Sequence, residues 1–338
     1  MEQRKILYIK AQGMGDIITS IPKFYEWKKQ GNHITILWYS FEYFKYGFTP
    51  QPLIDILERS WLVDNIIYIP YNKISLVLFL IKNFRKFDLA FNPIKTTFSK
   101  FLWNILSKKY FYVFHNRNDN EKFKTLIDWE TAWKAMLLYE YKKYLTFENY
   151  TNQRKKYKIS NKYITIFPSS YERSINIEKW SEVIKYINEK NIQVIILWWE
   201  RDKWFVEDLQ NIPDQKFNIK DLINKTDFYD LCDILENSVC NILCNGWVMR
   251  LANLMNKKNI NIHTVSSFVQ EPKTDDKNSF NIRPYTYQKC IPCEALWYRE
   301  KGISGIPCCV FAWTKKEWEC RLFIESKDVV NILSIFIY

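Results

Sequence analysis

Two series of short apolar runs, each run followed by a stretch of helical period, constrain this chain more than any other feature. The first series is KILYIKA (residues 5–11), HITILWYS, NIIYIP, FDLAFNP and YFYVF, with the helical patterns IPKFYEWKKQ, PLIDILERS, ISLVLFLIKNFRK and TTFSKFLWNILSKK between them. Strands that alternate with helices pair in parallel, because the helix is the crossover that returns the chain to the same edge of a sheet. From residue 116 the polarity rises, a helical pattern covers residues 131–144, and TFENYTNQRKKYKISNK is polar and turn-rich. A second series then opens at residue 162. Its strands are YITIFP, QVIILW, CNILC and INIHTV, and KFNIKD is a strand or a turn. Its helices are IEKWSEVIKYINEK, DKWFVEDLQN, FYDLCDILENS and VMRLANLMNK. The predicted class is α/β: two Rossmann-like, doubly wound parallel-sheet domains facing across a cleft, with ligands at the carboxyl ends of the strands. The expected boundaries are 1–118 for the first domain, 119–160 for a helical connection, 161–325 for the second domain with a cysteine-rich tail, and 326–338 for a terminal helix.

A length of 338 residues agrees with two cores, since a single core stops growing near ~250 residues. No apolar run approaches the ~20 residues that span a bilayer, and the N-terminus enters a strand pattern without a leader, so a cytoplasmic protein is expected. Lys and Arg number 49 against 37 Asp and Glu, a net charge of +12, with the excess heavy in FRKFDLAFNPIKTTFSKFLWNILSKK. Basic and aromatic residues interleaved in this way suit peripheral contact with an anionic membrane surface, or reflect AT-rich coding bias towards Lys, Asn, Ile, Phe and Tyr. No nucleic-acid-reading signature is present, and nucleic acid is not an expected partner.

The first strand ends in QGMGD. Gly13 and Gly15 free the backbone to approach a ligand, and the following helix offers unpaired N–H groups. Asp16 reads in two ways, as the cap of that helix or as a general base. The third glycine of a dinucleotide fingerprint is missing, which argues against a nicotinamide cofactor. Cys232, Cys240 and Cys244 fall in the second domain's helix and strand pattern as small buried apolar residues. The tail carries Cys290, Cys293, Cys308, Cys309 and Cys320, of which Cys290, Cys293, Cys309 and Cys320 have a spacing compatible with a four-thiolate structural zinc. Disulfides are disfavoured in the expected compartment.

KILYIKAQGMGDIITSIPKFYEWKKQGNHITIL resembles the opening of glycosyltransferase family 9, the heptosyltransferase-like enzymes. DLAFNP, ITIFPSSYERSINIEKWSEVIKYI, VIILWWERD, CNGWVMRLAN and the cysteine-rich tail resemble later family motifs in the same order. The resemblance implies a GT-B fold and an inverting, metal-independent transfer of a sugar from a nucleotide-sugar such as an ADP-heptose-like donor. No cofactor is required for catalysis. The acceptor is a glycan or a lipid-linked saccharide of surface polysaccharide or lipopolysaccharide synthesis. By the same resemblance Asp16 is the catalytic base and Arg173 holds the donor phosphates. Asp202 or its neighbour Glu200 takes the nucleoside sugar hydroxyls, and Asn245, Gly246, Trp247, Met249 and Arg250 form the donor loop. Asn245, Gly246 and Met249 also read as an ordinary helix start.

The departures from the family pattern are of one kind. Trp198, Trp199 and Trp247 stand where relatives have glycine, in a chain with 7 Gly and 14 Trp. Asn245 replaces an acid and Arg250 a histidine. Two readings follow: UGA codons that the source translates as glycine, or a catalytically inactive nucleotide-binding relative whose donor pocket is occluded. Trp180, on a helix, is expected in the core.

Overall fold

The computed structural model describes residues 3–10, 14–38, 57–58, 60–68, 73–94, 97–114, 156–168, 175–197, 203–213, 215–244, 246–263, 278–283 and 324–337. The helix expected at 131–144 and most of that at 52–60 lie outside them. The chain divides into two compact units, Met1–Glu140 with Tyr298–Ser304, and Tyr141–Trp297 with Gly305–Tyr338.

The first unit holds five parallel strands, β1 (Lys5–Lys10), β2 (His33–Trp38), β3 (Asn65–Tyr68), β4 (Phe87–Ile94) and β5 (Ser107–Phe114), in the order β3-β2-β1-β4-β5. Three helices connect them: α1 (Met14–Lys29), α2 (Lys73–Lys82) and α3 (Thr97–Leu106). Leu7 and Ile9 of β1 and Leu37 of β2 meet Leu80, Phe87, Leu102 and Leu106 in one apolar cluster. Two boundaries differ from the sequence expectation. Helix α1 already contains Met14, Gly15 and Asp16 as its first three residues. A cap precedes the first helical residue, so Asp16 is not the cap. Strand β5 starts at Ser107, three residues before the expected YFYVF, because Ser107 and Lys109 find register partners in Phe87 and Leu89 of β4. Asp88 ties the amino ends of three strands together. Its carboxylate accepts the Lys108 ammonium at 2.7 Å and the Lys5 N–H at 2.9 Å, and these bonds hold its carboxyl below the usual carboxylate value.

The second unit has six parallel strands: β6 (Tyr163–Phe167), β7 (Gln193–Ile196), β8 (Ile219–Asp221), β9 (Asn241–Cys244), β10 (Asn259–Ile262) and β11 (Ser279–Ile282). Their order is β11-β10-β9-β6-β7-β8. KFNIKD resolves into strand β8, and β11 is a strand that the sequence reading did not contain. The helices are α4 (Ile177–Glu189), α5 (Lys203–Gln210), α6 (Phe228–Asn237), α7 (Trp247–Leu254) and α8 (Ser326–Ile337). Ile164, Ile166, Val194, Ile196, Ile242 and Ile260 pack in one cluster with residues of α4, α5 and α8. Trp180 of α4 lies fully buried there, edge-on to Phe205 of α5 at 5.8 Å between ring centres. Helix α6 starts with a reciprocal cap: the Asp227 carboxylate accepts the Asp230 N–H at 2.7 Å, and the Asp230 carboxylate accepts the Asp227 N–H at 3.2 Å.

The two kinds of contact differ in weight. Trp180→Ala leaves a large cavity and should lower unfolding free energy by about 3–5 kcal/mol. Asp227→Ala removes a cap and should cost about 1 kcal/mol. Urea unfolding of both variants checks the ranking, and equal losses would place Trp180 outside the core.

Candidate functional site

In the strand order of the second unit, β6 and β9 are neighbours, yet the chain leaves β6 towards β7 and leaves β9 towards β10. Such a divergence opens a crevice at the carboxyl ends of the two strands. Three of the segments singled out by sequence follow adjacent strands at this end. Residues 169–174, with Arg173, follow β6. Residues 198–202, with Trp198, Trp199, Glu200 and Asp202, follow β7, and residue 245 follows β9. At a strand spacing of ~4.8 Å, their three points of departure span about 10 Å. Arg173, Glu200, Asp202, Trp198, Trp199 and Asn245 lie outside the described residues, as do Gly13 and all five tail cysteines. The Cys244 thiol donates to the Pro168 carbonyl at 3.2 Å and so joins the ends of β9 and β6. In the first unit the divergence lies between β1 and β4, and α1 with Gly15 and Asp16 follows β1.

Gly246 precedes α7 with extended backbone, φ 175° and ψ −177°, which any residue adopts. It has no side chain with which to cap the helix, so the first amides of α7 receive no cap from it. Trp247 is the first residue of α7. Its half-buried indole stacks on Phe228 of α6 at 5.9 Å, with 13° between the planes. Helical backbone makes no demand for glycine at this position, so only close approach of a ligand would require one. Met249 is fully buried beneath the helix start. Arg250 is half-buried, and its N–H closes the first turn on the Gly246 carbonyl at 3.3 Å.

A row of buried polar side chains holds α7 onto the sheet. Thr165, Asn241, Asn259 and Ser279 are register neighbours straight across β6, β9, β10 and β11, and Asn261 and Asn281 form the next rung. The Thr165 hydroxyl donates to the Asn241 side-chain oxygen Oδ1, and Asn241 Nδ2 donates to Asn259 Oδ1 at 3.0 Å. From α7, Asn253 donates to Asn261 at 3.1 Å and accepts from the Ser279 hydroxyl at 2.6 Å. Asn261 donates to Asn281 at 3.0 Å, and Asn281 Oδ1 also accepts from His263 Nε2 at 3.1 Å. His263 therefore carries a proton on Nε2. Burial, then the charges of Arg283 and Arg250, push its pKa down to about 3, against the favourable bond to Asn281. The row ends beside two arginines, one of them the expected donor-loop cation.

None of these polar residues was singled out from the sequence. The signal was the period-2 alternation of Asn or Ser with apolar residues in NINI and SFNI. The thiols of Cys232 and Cys240 are pushed well up by burial, and with Cys244 they are buried in the second unit, as expected. Among the described residues no group of His, Cys, Asp or Glu is arranged to hold a metal ion.

His263 generates a pH dependence of defined sign. Below about pH 6.5 the unfolded chain protonates this imidazole, whereas the folded chain refuses the proton until about pH 3. Stability is therefore lost as the pH falls through that window. His263→Gln should lose less stability than the parent between pH 7 and pH 4.5 in urea unfolding. Identical losses would mean that the imidazole is not held neutral.

The sequence pattern of glycosyltransferase family 9 (heptosyltransferase) matches residues 118–294, just over half of the chain. The match begins after the QGMGD segment. A search of curated protein sequences finds no match. Among solved structures, a glycosyl transferase family 9 protein from Veillonella parvula superposes with a TM-score of 0.67 at 11% identity, over 100% of this chain and 98% of that one. The ADP-heptose lps heptosyltransferase II of E. coli gives 0.66 at 12% identity, over 98% of each chain. The iron-containing dodecameric glycosyltransferase TibC from enterotoxigenic E. coli gives 0.59 at 13% identity, over 99% of this chain and 76% of that one. These superpositions establish a shared α/β fold of parallel sheets, and with the sequence match they place the chain: it belongs to glycosyltransferase family 9.

Proposed function

We propose that this glycosyltransferase moves a sugar, heptose-like or another hexose, from an ADP-heptose-like nucleotide-sugar to a glycan or lipid-linked acceptor of surface polysaccharide or lipopolysaccharide synthesis. The transfer inverts the anomeric centre and uses no metal in the chemical step. The observation that carries the reading is the departure of three family-like segments from the adjacent strands β7, β6 and β9 at one switch point. The ADP-heptose named for the E. coli structure supports the donor class.

The second domain, 161–325, binds the donor in this reading. The uncapped amides at the start of α7, with Arg250 and Arg173, neutralise the pyrophosphate, for which a helix start and bidentate guanidinium groups are suited. Asn245 adds a hydrogen bond, Gly246 permits close approach, and Glu200 or Asp202 accepts from the ribose hydroxyls. The first domain, 1–118, binds the acceptor, with 119–160 as the connection and 326–338 as the closing helix. Asp16 takes the proton of the acceptor hydroxyl as that oxygen bonds to the anomeric carbon. The bond to the departing phosphate breaks on the opposite side, and the nucleoside diphosphate leaves with the electron pair.

Two composition features enter the same reading. Trp198, Trp199 and Trp247 are glycines encoded by UGA, a reading supported by 7 Gly against 14 Trp. The peptide mass across residues 245–250 of protein from the native source tests it, and tryptophan there overturns it. Cys290, Cys293, Cys309 and Cys320 hold a structural metal. Thiolates suit zinc or iron, and the iron named for TibC makes both worth assaying by elemental analysis.

Asp16→Ala should lower kcat roughly 100-fold or more while leaving nucleotide binding intact. Arg250→Ala should raise the donor KM on the order of tenfold, in keeping with the loss of a charged phosphate contact. Initial rates with ADP-, GDP- and UDP-linked sugars check both. Full activity of Asp16→Ala would remove the assigned base, and absence of thermal protection by any of these nucleotides would favour an inactive relative.

A further inference from the structure

Helix α2, KISLVLFLIK, is apolar on every side. One side, with Leu76, Phe79 and Leu80, packs on the core of the first unit. The opposite side carries Ile74, Val77, Leu78 and Ile81, which are between 53 and 71% exposed and fall within an arc of about 100°. Phe84, just past the helix, and Phe101, on the neighbouring α3, are exposed as well. A helix at a water-facing surface normally shows one apolar stripe and one polar one. This helix has two apolar stripes, one packed on the core and one largely exposed.

The stretch of sequence that carries α2 is strongly basic. Residues 65–118 contain nine Lys and Arg and one acid, Asp88, whose charge is engaged by Lys108 at 2.7 Å. Lys82, Arg85 and Lys86 are exposed at the carboxyl end of α2, where cations complement the helix dipole, and the Arg85 guanidinium lies over the Phe84 ring at 5.8 Å. Ten residues of helix measure about 15 Å, too short to cross a bilayer and suited to lying in its interface. Among the described residues no helix is long and apolar enough to cross.

We propose that the outer face of α2, with Phe84 and Phe101, docks on the surface of an anionic lipid bilayer. The aliphatic side chains enter the acyl boundary, and Lys82, Arg85 and Lys86 sit at the phosphate headgroups. A second copy of this chain would bring the same cations together, whereas an anionic surface matches both the apolar arc and its rim. The proposal deepens the reading of a lipid-linked acceptor, and its test is separate from that of catalysis.

The experiment is flotation of the full chain with phosphatidylcholine vesicles and with vesicles containing phosphatidylglycerol. Binding to the anionic vesicles and little to the neutral ones is expected, weakening as salt is raised. Leu78→Ser with Ile81→Ser should weaken binding on the order of tenfold, and Lys82→Glu or Arg85→Glu by about fivefold each. Because these side chains are exposed, the unfolding midpoint and transfer to a water-soluble acceptor should stay at the parental level. Absence of binding to anionic vesicles, or binding that the α2 substitutions leave unchanged, overturns the proposal. So does a dimer in sedimentation that Leu78→Ser with Ile81→Ser dissolves, since it would assign the face to a second copy.

Discussion

A parallel sheet buried on both faces ordinarily reads as continuous aliphatic residues, and its strands are joined by backbone ladders and long crossovers without polar side chains between them. The second sheet of this protein departs from that rule on one face. A file of amides and hydroxyls runs in register across β6, β9, β10 and β11 and takes Asn253 of α7 as its anchor. Thr165, Asn241, Asn259 and Asn261 are fully buried, so an unmade bond at any of them would cost about 1–3 kcal/mol. The position of α7 is thereby specified by direction as well as by shape. Apolar packing alone would let a short helix slide or rotate at little cost, whereas the paired amides favour one placement. Trp247, Met249 and Arg250, proposed above to lie at the donor, belong to the helix that this arrangement fixes through Asn253.

The order of elements was legible in the sequence because hydrophobic period is a local property. Both doubly wound series and the burial of Trp180 could be read from neighbours in the chain, whereas KFNIKD stayed open between strand and turn until β7 paired with it. What escaped depended on distant partners. Asn259 and Asn261 look like compositional bias until Asn253 and Ser279 are placed beside them. Ser107 looks like the end of a helix until β4 supplies its ladder. The strand SFNI is too short and too polar to announce itself without β10 alongside. Asp16 read as a helix cap or as a general base, and the backbone, which enters α1 at Met14, removes the first of these. The donor side of the candidate site was legible only as a series of motifs. That three of them leave adjacent strand ends follows from the crossing order β9-β6-β7, which no single stretch of sequence contains.

Trp247 shows how a local oddity changes meaning in a fold. In the sequence it replaces a glycine and suggests obstruction. In the structure its backbone is ordinary helix and its ring has a partner in Phe228. The position tolerates tryptophan without strain, so any requirement for glycine comes from the ligand side and not from the fold. The same distinction applies to α2, whose inner stripe is demanded by the core and whose outer stripe is not.

Helix α8 carries a consequence for how the protein is made. It is the last element of the second unit in the chain, yet Val329 and Leu333 sit fully buried among strands and helices synthesised long before. The Lys179 ammonium of α4 waits for Glu325, at 2.9 Å, to complete its ion pair. On the ribosome all five strands of the first unit's sheet emerge before the second unit begins. The second must hold an open apolar face until this final helix leaves the exit tunnel. Nascent chains stalled before residue 326 would therefore display that face to chaperones, and a truncation there would leave a nearly complete sheet that cannot finish folding.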